Sequence, residues 1–306
     1  MKLINEKYRT LKPRIEYLAD EVVIAQAWKK THGYIRSFNW YADTLALDIS
    51  ALTIEDNAKV WAEAISQGKD LNPLELVPAA KSEAWSLSED GWKPKKERKK
   101  TPLRPLAHIT IRDQTWASAV MLCLADAVET AQGDCSLKNN ITFAKTRANK
   151  VYSYGNRLVC DWKTDRKGWF RWGNSETYRK FFTDYQNFLK RPLELGRDVV
   201  NQSAGNEEVY VVNLDLAKFY NTIDIPILIE RLKAISNDFG YEDETSFWES
   251  VERIFKWKWS DKDIEQAENL ELGSINSGLP QGLVSAGFLA NAYLNNFDKV
   301  VGESIG

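Results

Sequence analysis

The chain has 306 residues, of which 43% are hydrophobic and 27% charged, and its formal net charge is −2. This composition is typical of a folded globular protein, and the sequence has no apolar run of about 18 residues that could span a membrane. Three cysteines without a CxxC pair and two histidines argue against a Cys/His zinc site and a disulfide framework, so we expect a cytoplasmic protein.

The small net charge hides three regions of different charge. Residues 1–92 carry 11 Lys and Arg against 14 Asp and Glu, residues 93–204 carry 22 against 11, and residues 205–306 carry 8 against 18. A middle region of net charge +11 before a region of net charge −10 predicts a surface for a polyanion beside a site that holds cations. The overall charge is therefore no argument against a nucleic-acid partner.

The first third of the chain is predicted to be helical. Apolar residues recur at helical spacing on one face at Ile15, Leu18, Val22 and Ala25. Thr53 and Asp56 are typical of the start of a further helix, which Gly68 ends. Residues 72–94 contain several Pro, Ser and Gly residues without a clear period, which predicts a linker.

The middle third combines a charge run with helices. Residues 93–100 are almost entirely charged, a pattern that by itself most often indicates a solvated loop. A long helix that is apolar on most sides, and therefore buried, is predicted over residues 114–132, with Gly133 ending it. Another helix is predicted to begin at Ser175 and to end at Pro192.

The last third has mixed patterning. Residues 209–214 are a continuous β-prone run, which predicts a strand buried on both faces. Asp215 follows directly and would lie at the rim of a sheet, although a strand-end turn is the alternative. A helix with Pro226 in its first turn and a final helix after the Gly-Leu-Pro-Gln-Gly turn at residues 278–282 complete an α+β pattern.

Several short segments in the last two thirds of the chain carry a family resemblance. Residues 215–224 read Asp-Leu-Ala-Lys-Phe-Tyr-Asn-Thr-Ile-Asp, and the turn at residues 278–282 follows about sixty residues later. Upstream lie a basic and apolar segment at residues 104–113 and an aromatic and basic one at residues 151–157. In this order they resemble the fingers and palm motifs of bacterial reverse transcriptases of the retron and group II intron type. The sequence Leu-Val-Ser-Ala-Gly-Phe at residues 283–288 is most similar to the abortive-infection and antiphage-defence group.

The resemblance implies a fold and a division of the chain. The fold would be the fingers and a partial palm of a right-hand polymerase, with the thumb absent. Residues 93–204 would be the basic fingers and residues 205–306 the partial palm. Residues 1–92 would be a helical N-terminal region of unknown role.

The resemblance also implies an activity, RNA-directed DNA synthesis in antiphage defence. The partners would be an RNA template, a DNA primer strand and deoxynucleoside triphosphates. The reaction would be nucleotidyl transfer assisted by two Mg²⁺ ions. Asp215 and the backbone carbonyl of Leu216 would bind the metal, because Mg²⁺ prefers hard oxygen ligands.

Four further residues would contact the incoming nucleotide if the resemblance holds. Arg104 would bind its triphosphate, since a guanidinium suits paired contacts with phosphate oxygens. Tyr220 would lie under the sugar and exclude a ribose 2′-hydroxyl, with a core aromatic residue as the alternative. Gln281 and Gly282 would form the loop beside the nucleotide and the template base.

Basic residues of the expected fingers are candidate contacts to nucleic acid. Lys99 or Lys100 would assist at the triphosphate. A second basic cluster is interleaved with aromatic residues, and its candidate contacts are Arg157, Arg166 and Lys167. Basic side chains bind phosphates and aromatic rings stack bases. The alternative is that these aromatic residues pack beneath an insertion in the fingers.

Two departures from the family pattern weaken the implied activity. Ala286-Gly287 stands where Ser-Pro is usual, and the Asp-Asp pair of the third palm motif is missing. We therefore expect the chain to be inactive alone and to be a truncated reading of a longer polymerase. Two alternatives stay open. One is a relative that makes DNA without a template or from a protein primer, and the other is a non-catalytic RNA-binding or assembly subunit completed by a second polymerase-like or defence-system chain.

Overall fold

A computed structural model describes residues 6–38, 42–81, 85–89, 91–94, 102–136, 149, 151–174, 176–203 and 208–304. These residues form an α+β fold, as predicted, in which each sheet has two antiparallel strands. The helices are α1 (Ile15–Leu18), α2 (Glu21–Phe38), α3 (Thr44–Leu52), α4 (Ile54–Ser66), α5 (Ile111–Gln132), α6 (Phe181–Gln202), α7 (Phe219–Thr222), α8 (Ile225–Phe239), α9 (Thr245–Ile254), α10 (Asp261–Asn269) and α11 (Ala286–Ser304). The strands are β1 (Glu75–Ala80), β2 (Trp85–Ser88), β3 (Gly91–Pro94), β4 (Leu103–His108), β5 (Cys160–Trp162) and β6 (Gly168–Phe170). Within this part of the chain, none of the helices combines the length and the apolar character needed to cross a membrane.

Helix α5 forms the centre of the fold. The Thr110 side chain caps its first turn by accepting a hydrogen bond from the Asp113 amide, and Gly133, with φ 73°, ends it. Nearly all of its side chains are buried, including that of Trp116. Helices α2, α8, α9 and α11 and the β5–β6 hairpin pack around it. The predicted buried helix is therefore confirmed, and it begins three residues earlier than expected.

The prediction of a linker over residues 72–94 is wrong, because this range contains strands. Strand β1 pairs with β4 in antiparallel register, and β2 pairs with β3 as a hairpin. Pro78 lies opposite Pro105 in the β1–β4 pair. Proline is tolerated at the edge of a sheet, and β1 and β4 form a sheet of only two strands. Pro73, Pro78 and Pro94 gave the range the composition of a linker.

The three charge regions share one hydrophobic core. It includes Leu18 from the N-terminal region, Val120 from the middle region and Phe288 from the last third. The first and last thirds of the chain are also joined by a cap, in which the carboxylate of Glu244 accepts a 2.9 Å hydrogen bond from the amide of Ile15 at the start of α1. Helix α1 therefore begins against a residue from the last third of the sequence.

The prediction of a buried strand over residues 209–214 is also wrong. The segment has no regular secondary structure and is exposed, with 85% of Leu214 accessible to solvent. No strand of the described residues pairs with it. A β-prone sequence does not hold a strand by itself, since a strand is stabilised by its cross-strand partners.

Helix α6 differs from the prediction at both ends. The expected start at Ser175 lies outside the described residues, and Pro192 lies inside the helix rather than at its end. Proline removes one hydrogen bond of a helix, but the amphipathic pattern of α6 continues on both sides of it. By contrast, α8 begins as predicted, with Pro226 in its first turn and Asp224 accepting a hydrogen bond from the Ile227 amide.

Candidate functional site

The Gly-Leu-Pro-Gln-Gly turn packs directly on the segment that contains Tyr220. The amide of Leu279 donates a 2.8 Å hydrogen bond to the Tyr220 carbonyl. The Gln281 side chain donates one of 3.1 Å to the side chain of Asn221, 60 residues away in sequence. Gly278 has φ 80°, and a Cβ atom there would overlap the Tyr220 carbonyl and lie 2.7 Å from the carbonyl carbon of Asn221. The two segments therefore fit together only with glycine at this position.

The turn is also fixed to β4 and α5. The amide of Ala107 donates a 2.7 Å hydrogen bond to the Gln281 carbonyl. The Gln114 side chain, in the first turn of α5, donates to the Gly282 carbonyl at 2.8 Å and accepts from the Val284 amide at 2.9 Å. Gln114 is buried. Sequence reasoning did not single it out, and the signal that could have found it is a polar residue on an otherwise apolar helix.

A cavity of about 210 Å³ lies beside the turn, and we call it the loop cavity. Its lining residues come from all three charge regions: Tyr34, Asn156, Tyr178, Tyr220, Gln281, Gly282, Leu283, Ala286 and Gly287. Tyr220, Gln281 and Gly282, three residues to which the resemblance assigns nucleotide contacts, therefore line one cavity. Tyr34 and Tyr178 join them without any signal in the sequence.

The loop cavity offers aromatic rings and neutral polar groups. The rings of Tyr34 and Tyr178 meet edge to face with centroids 5.8 Å apart, and the Tyr178 hydroxyl donates a 2.8 Å hydrogen bond to the Val284 carbonyl. Burial raises the pKa of Tyr34 and the pKa of Tyr220, so both phenols stay neutral. The volume is below the roughly 300 Å³ at which ordinary ligand pockets begin, so the cavity suits part of a nucleotide rather than a whole one.

Arg104 lies on β4, beside the turn but outside the loop cavity. It is exposed, and it lies two residues from Leu106, which forms a parallel bridge with Gln281. Two residues correspond to about 7 Å along a strand. The strand therefore places Arg104 near the turn, with its side chain exposed. Lys99 and Lys100, the other two predicted triphosphate contacts, lie outside the described residues.

Asp215 and Leu216 lie on the exposed segment before α7 rather than at the rim of a sheet. Their carboxylate and carbonyl oxygens are hard ligands of the kind that Mg²⁺ takes, with water filling the other positions. Across the described residues, no group of three or more His, Cys, Asp or Glu side chains could hold a metal ion together. Asp215 and Leu216 offer single oxygen donors of this kind, and the described residues do not complete a two-metal site around them.

Arg157 does not belong to a nucleic-acid surface, which corrects its predicted role. Its side chain is fully buried, and its guanidinium donates to the Glu129 carboxylate at 3.0 Å. It also donates to the carbonyls of Ser153 and Gly133. The Glu129 carboxylate in turn accepts a 3.0 Å hydrogen bond from the Leu158 amide. The pair therefore joins α5 to the segment after it, and Arg157 has a structural role.

Arg166 and Lys167 lie at the turn of the β5–β6 hairpin. Arg166 is exposed, and the Lys167 ammonium lies 4.6 Å from the ring centroid of Phe239 in α8. Trp169 of the hairpin meets Phe239 edge to face with centroids 6.2 Å apart. These aromatic residues pack beneath the hairpin, which is the alternative that the sequence left open. The basic side chains stay at the surface above them.

Comparison with known proteins adds no relative. No protein-family model matches the chain, and no curated protein or solved structure matches it either. A function is therefore inferred from three features of the chain itself: the loop cavity, the strand that carries Arg104, and the basic hairpin.

Proposed function

We propose that this chain forms the fingers and part of the palm of a bacterial RNA-directed DNA polymerase that acts in antiphage defence. The observation that carries the proposal is that Tyr220 and Gln281, from segments 60 residues apart, line one cavity. Both stand where the resemblance expects the incoming nucleotide. The three unpaired cysteines agree with a cytoplasmic setting.

The proposed roles follow from the chemistry of each residue. Arg104 binds the triphosphate through paired hydrogen bonds. The Tyr220 ring lies against the sugar and leaves no room for a 2′-hydroxyl. Gln281 and Gly282 contact the base, and the absence of a side chain on Gly282 lets the backbone approach it. When bound at Asp215, Mg²⁺ supplies neutralisation of the triphosphate charge.

Nucleotide binding to the purified chain tests these roles without requiring synthesis. Calorimetric titration with dTTP and with 5-methyl-UTP, which differ only in the 2′-hydroxyl, in the presence of Mg²⁺ is expected to show tighter binding of dTTP. Arg104→Ala is expected to weaken both by about tenfold or more, as for other hydrogen bonds to charged groups. Arg197→Ala, an exposed arginine on α6, is the control and should leave both unchanged.

Discrimination between the two sugars tests Tyr220. Tyr220→Ala is expected to bring the affinity for 5-methyl-UTP close to that for dTTP, since the ring no longer excludes the 2′-hydroxyl. Unchanged discrimination would contradict the role of Tyr220. Failure of the unmodified chain to bind either nucleotide would contradict the proposal as a whole.

Primer extension then separates templated synthesis from its closest alternative. In the longer polymerase that the resemblance implies, extension of oligo(dT) that requires poly(rA) and is lost in Asp215→Ala supports an RNA-directed reaction on an RNA template and DNA primer. Products that form equally well without poly(rA) favour template-independent or protein-primed synthesis.

A second candidate function is a non-catalytic RNA-binding or assembly subunit of a two-chain polymerase. It is favoured by the described residues, which include no group of three or more His, Cys, Asp or Glu side chains that could hold a metal ion. This candidate predicts that the chain binds RNA but extends no primer by itself. Extension then requires a second polymerase-like chain, and it survives Asp215→Ala in this one.

A further inference from the structure

Helix α6 carries three exposed aromatic side chains in a row. Phe181, Tyr185 and Phe188 recur at helical spacing, and we call them the aromatic ladder. The ring centroids of Phe181 and Tyr185 lie 5.3 Å apart with planes at 15°, and those of Tyr185 and Phe188 lie 6.4 Å apart with planes at 24°. A contiguous row of large exposed apolar side chains indicates a binding surface.

The aromatic ladder lines a cleft of about 820 Å³, within the range of ligand-binding pockets. Tyr34, Phe38, Tyr178 and Asn156 line the same cleft. Tyr34, Tyr178 and Asn156 also line the loop cavity. The cleft and the loop cavity are therefore neighbours that share a wall, and a ligand long enough to occupy both would reach Tyr220 from the ladder.

The charges at the cleft are balanced, so its rings are the distinguishing feature. Arg179 binds Asp184 through two hydrogen bonds of 2.8 and 2.9 Å. Lys180 is exposed at the N-cap position of α6 and makes no side-chain cap, which places an ammonium and the first-turn amides beside the ladder. Glu176 also lines the cleft. The row of rings therefore matches the planar bases of a strand, and the Lys180 ammonium offers one contact to a phosphate.

We infer that the aromatic ladder stacks the bases of a single-stranded nucleic acid that leads into the loop cavity. The inference rests on the proposed function, because the loop cavity to which such a strand would lead is the proposed nucleotide site. Aromatic rings stack on any base, so the ladder holds a strand without selecting its sequence. Phosphates of the strand lie toward Lys180 and the start of α6.

Fluorescence anisotropy with labelled strands tests the ladder directly. The probes are oligouridylate, oligothymidylate and an abasic strand of equal length, titrated with the full chain in EDTA without nucleotides. Binding of either base-carrying strand, and weaker binding of the abasic strand, is expected. The tighter of the two base-carrying strands identifies the natural occupant as RNA or DNA.

A matched pair of variants locates the binding on the cleft. Phe181 and Phe182 are 70% and 69% exposed on the same helix, but only Phe181 lines the cleft. Phe181→Ala is expected to weaken binding at least about fivefold, whereas Phe182→Ala leaves it unchanged. Phe181→Tyr is expected to restore it. Equal effects of Phe181→Ala and Phe182→Ala, or equal binding of the abasic strand, would overturn the inference.

Two further outcomes separate this inference from the proposed function. If nucleic-acid strands bind through the aromatic ladder but dTTP does not bind to the chain, the proposed polymerase function fails. The aromatic ladder would then still be a binding surface for single-stranded nucleic acid. If dTTP binds and Phe181→Ala leaves strand binding unchanged while it dissociates a self-associated chain in sedimentation velocity, the ladder is a protein interface and the inference fails.

Discussion

The carbonyl oxygen of Tyr220 occupies the space that a Cβ atom on Gly278 would need. The same carbonyl accepts the hydrogen bond from Leu279 that joins the two segments of the loop cavity. A positive φ and the lack of room act together at Gly278, so any side chain there would separate these segments.

Gly278→Ala is expected to lower the free energy of unfolding by about 2–4 kcal/mol, since overpacking and a positive φ both contribute. Gly240→Ala is the matched control. Gly240 has φ 99°, but an added Cβ would meet no atom within 4 Å, so only about 1 kcal/mol is expected. Urea unfolding of the two variants measures the difference, and equal losses would contradict the close approach.

The hydrogen bonds of Gln114 give a second prediction. Gln114→Met leaves the Gly282 carbonyl and the Val284 amide without these partners, which is expected to cost about 2–4 kcal/mol of unfolding free energy and to weaken dTTP binding. Gln132→Met is the control in the same helix. Gln132 is buried, and its side-chain oxygen has no hydrogen-bond partner among the described residues, so a cost below about 1 kcal/mol is expected.

The difference between a buried structural arginine and a surface arginine can be tested by urea unfolding of two variants. Arg157→Met leaves the Glu129 carboxylate buried without its cation, which is expected to cost about 3–5 kcal/mol in urea unfolding. Arg166→Ala should change stability by less than about 0.5 kcal/mol.

Binding measurements at several salt concentrations complete that comparison. Arg166→Ala is expected to reduce the slope of log affinity against log salt by about 1, as for the loss of one phosphate contact. A slope equal to that of the unmodified chain would remove Arg166 from the nucleic-acid surface.

The pH dependence of stability provides a fourth prediction. Burial raises the pKa of Asp126 to about 6, while the hydrogen bond from the Phe170 amide and the charge of Lys163 oppose this shift. The folded state therefore holds the proton more tightly than the unfolded chain. The resulting stabilisation is complete below about pH 4 and is lost as the pH rises through about 6.

Asp126→Asn removes this titration and keeps a hydrogen-bond acceptor for the Phe170 amide. Between about pH 4 and pH 7, the unfolding free energy of the unmodified protein is expected to fall by up to about 3 kcal/mol relative to that of the variant. Urea unfolding across this range measures both proteins. Parallel pH profiles would show that Asp126 titrates at an ordinary pKa in the folded state.

The sequence predicted well those helices whose extent is marked by neighbouring residues. The apolar run of α5 with Gly133 after it, and Pro226 at the start of α8, describe their helices well. Strand β1 was not predicted, because its partner β4 lies more than twenty residues away in sequence. Pro78 also gives the strand the composition of a linker. Residues 209–214 show the opposite: their sequence has high β propensity, but no strand of the described residues pairs with them.

The same distinction applies to the loop cavity. The sequence marked Tyr220 and Gln281 through their motifs, and these two residues come together in the structure. It did not mark Tyr34 or Gln114, because their roles exist only once three distant segments are packed. A motif identifies cavity residues within its own segment more readily than residues that reach the cavity from other parts of the chain.

The hydrogen bond by which Glu244 caps α1 at Ile15 has a consequence for folding during synthesis of the chain. The carboxylate is synthesised 229 residues after the amide that it caps. At a translation rate of about 5–20 residues per second, Glu244 is synthesised roughly 10–50 s after Ile15. During that interval the apolar faces of α1 and α2 lack partners that are translated later, so a pause in translation before Glu244 would expose them to chaperones and proteases.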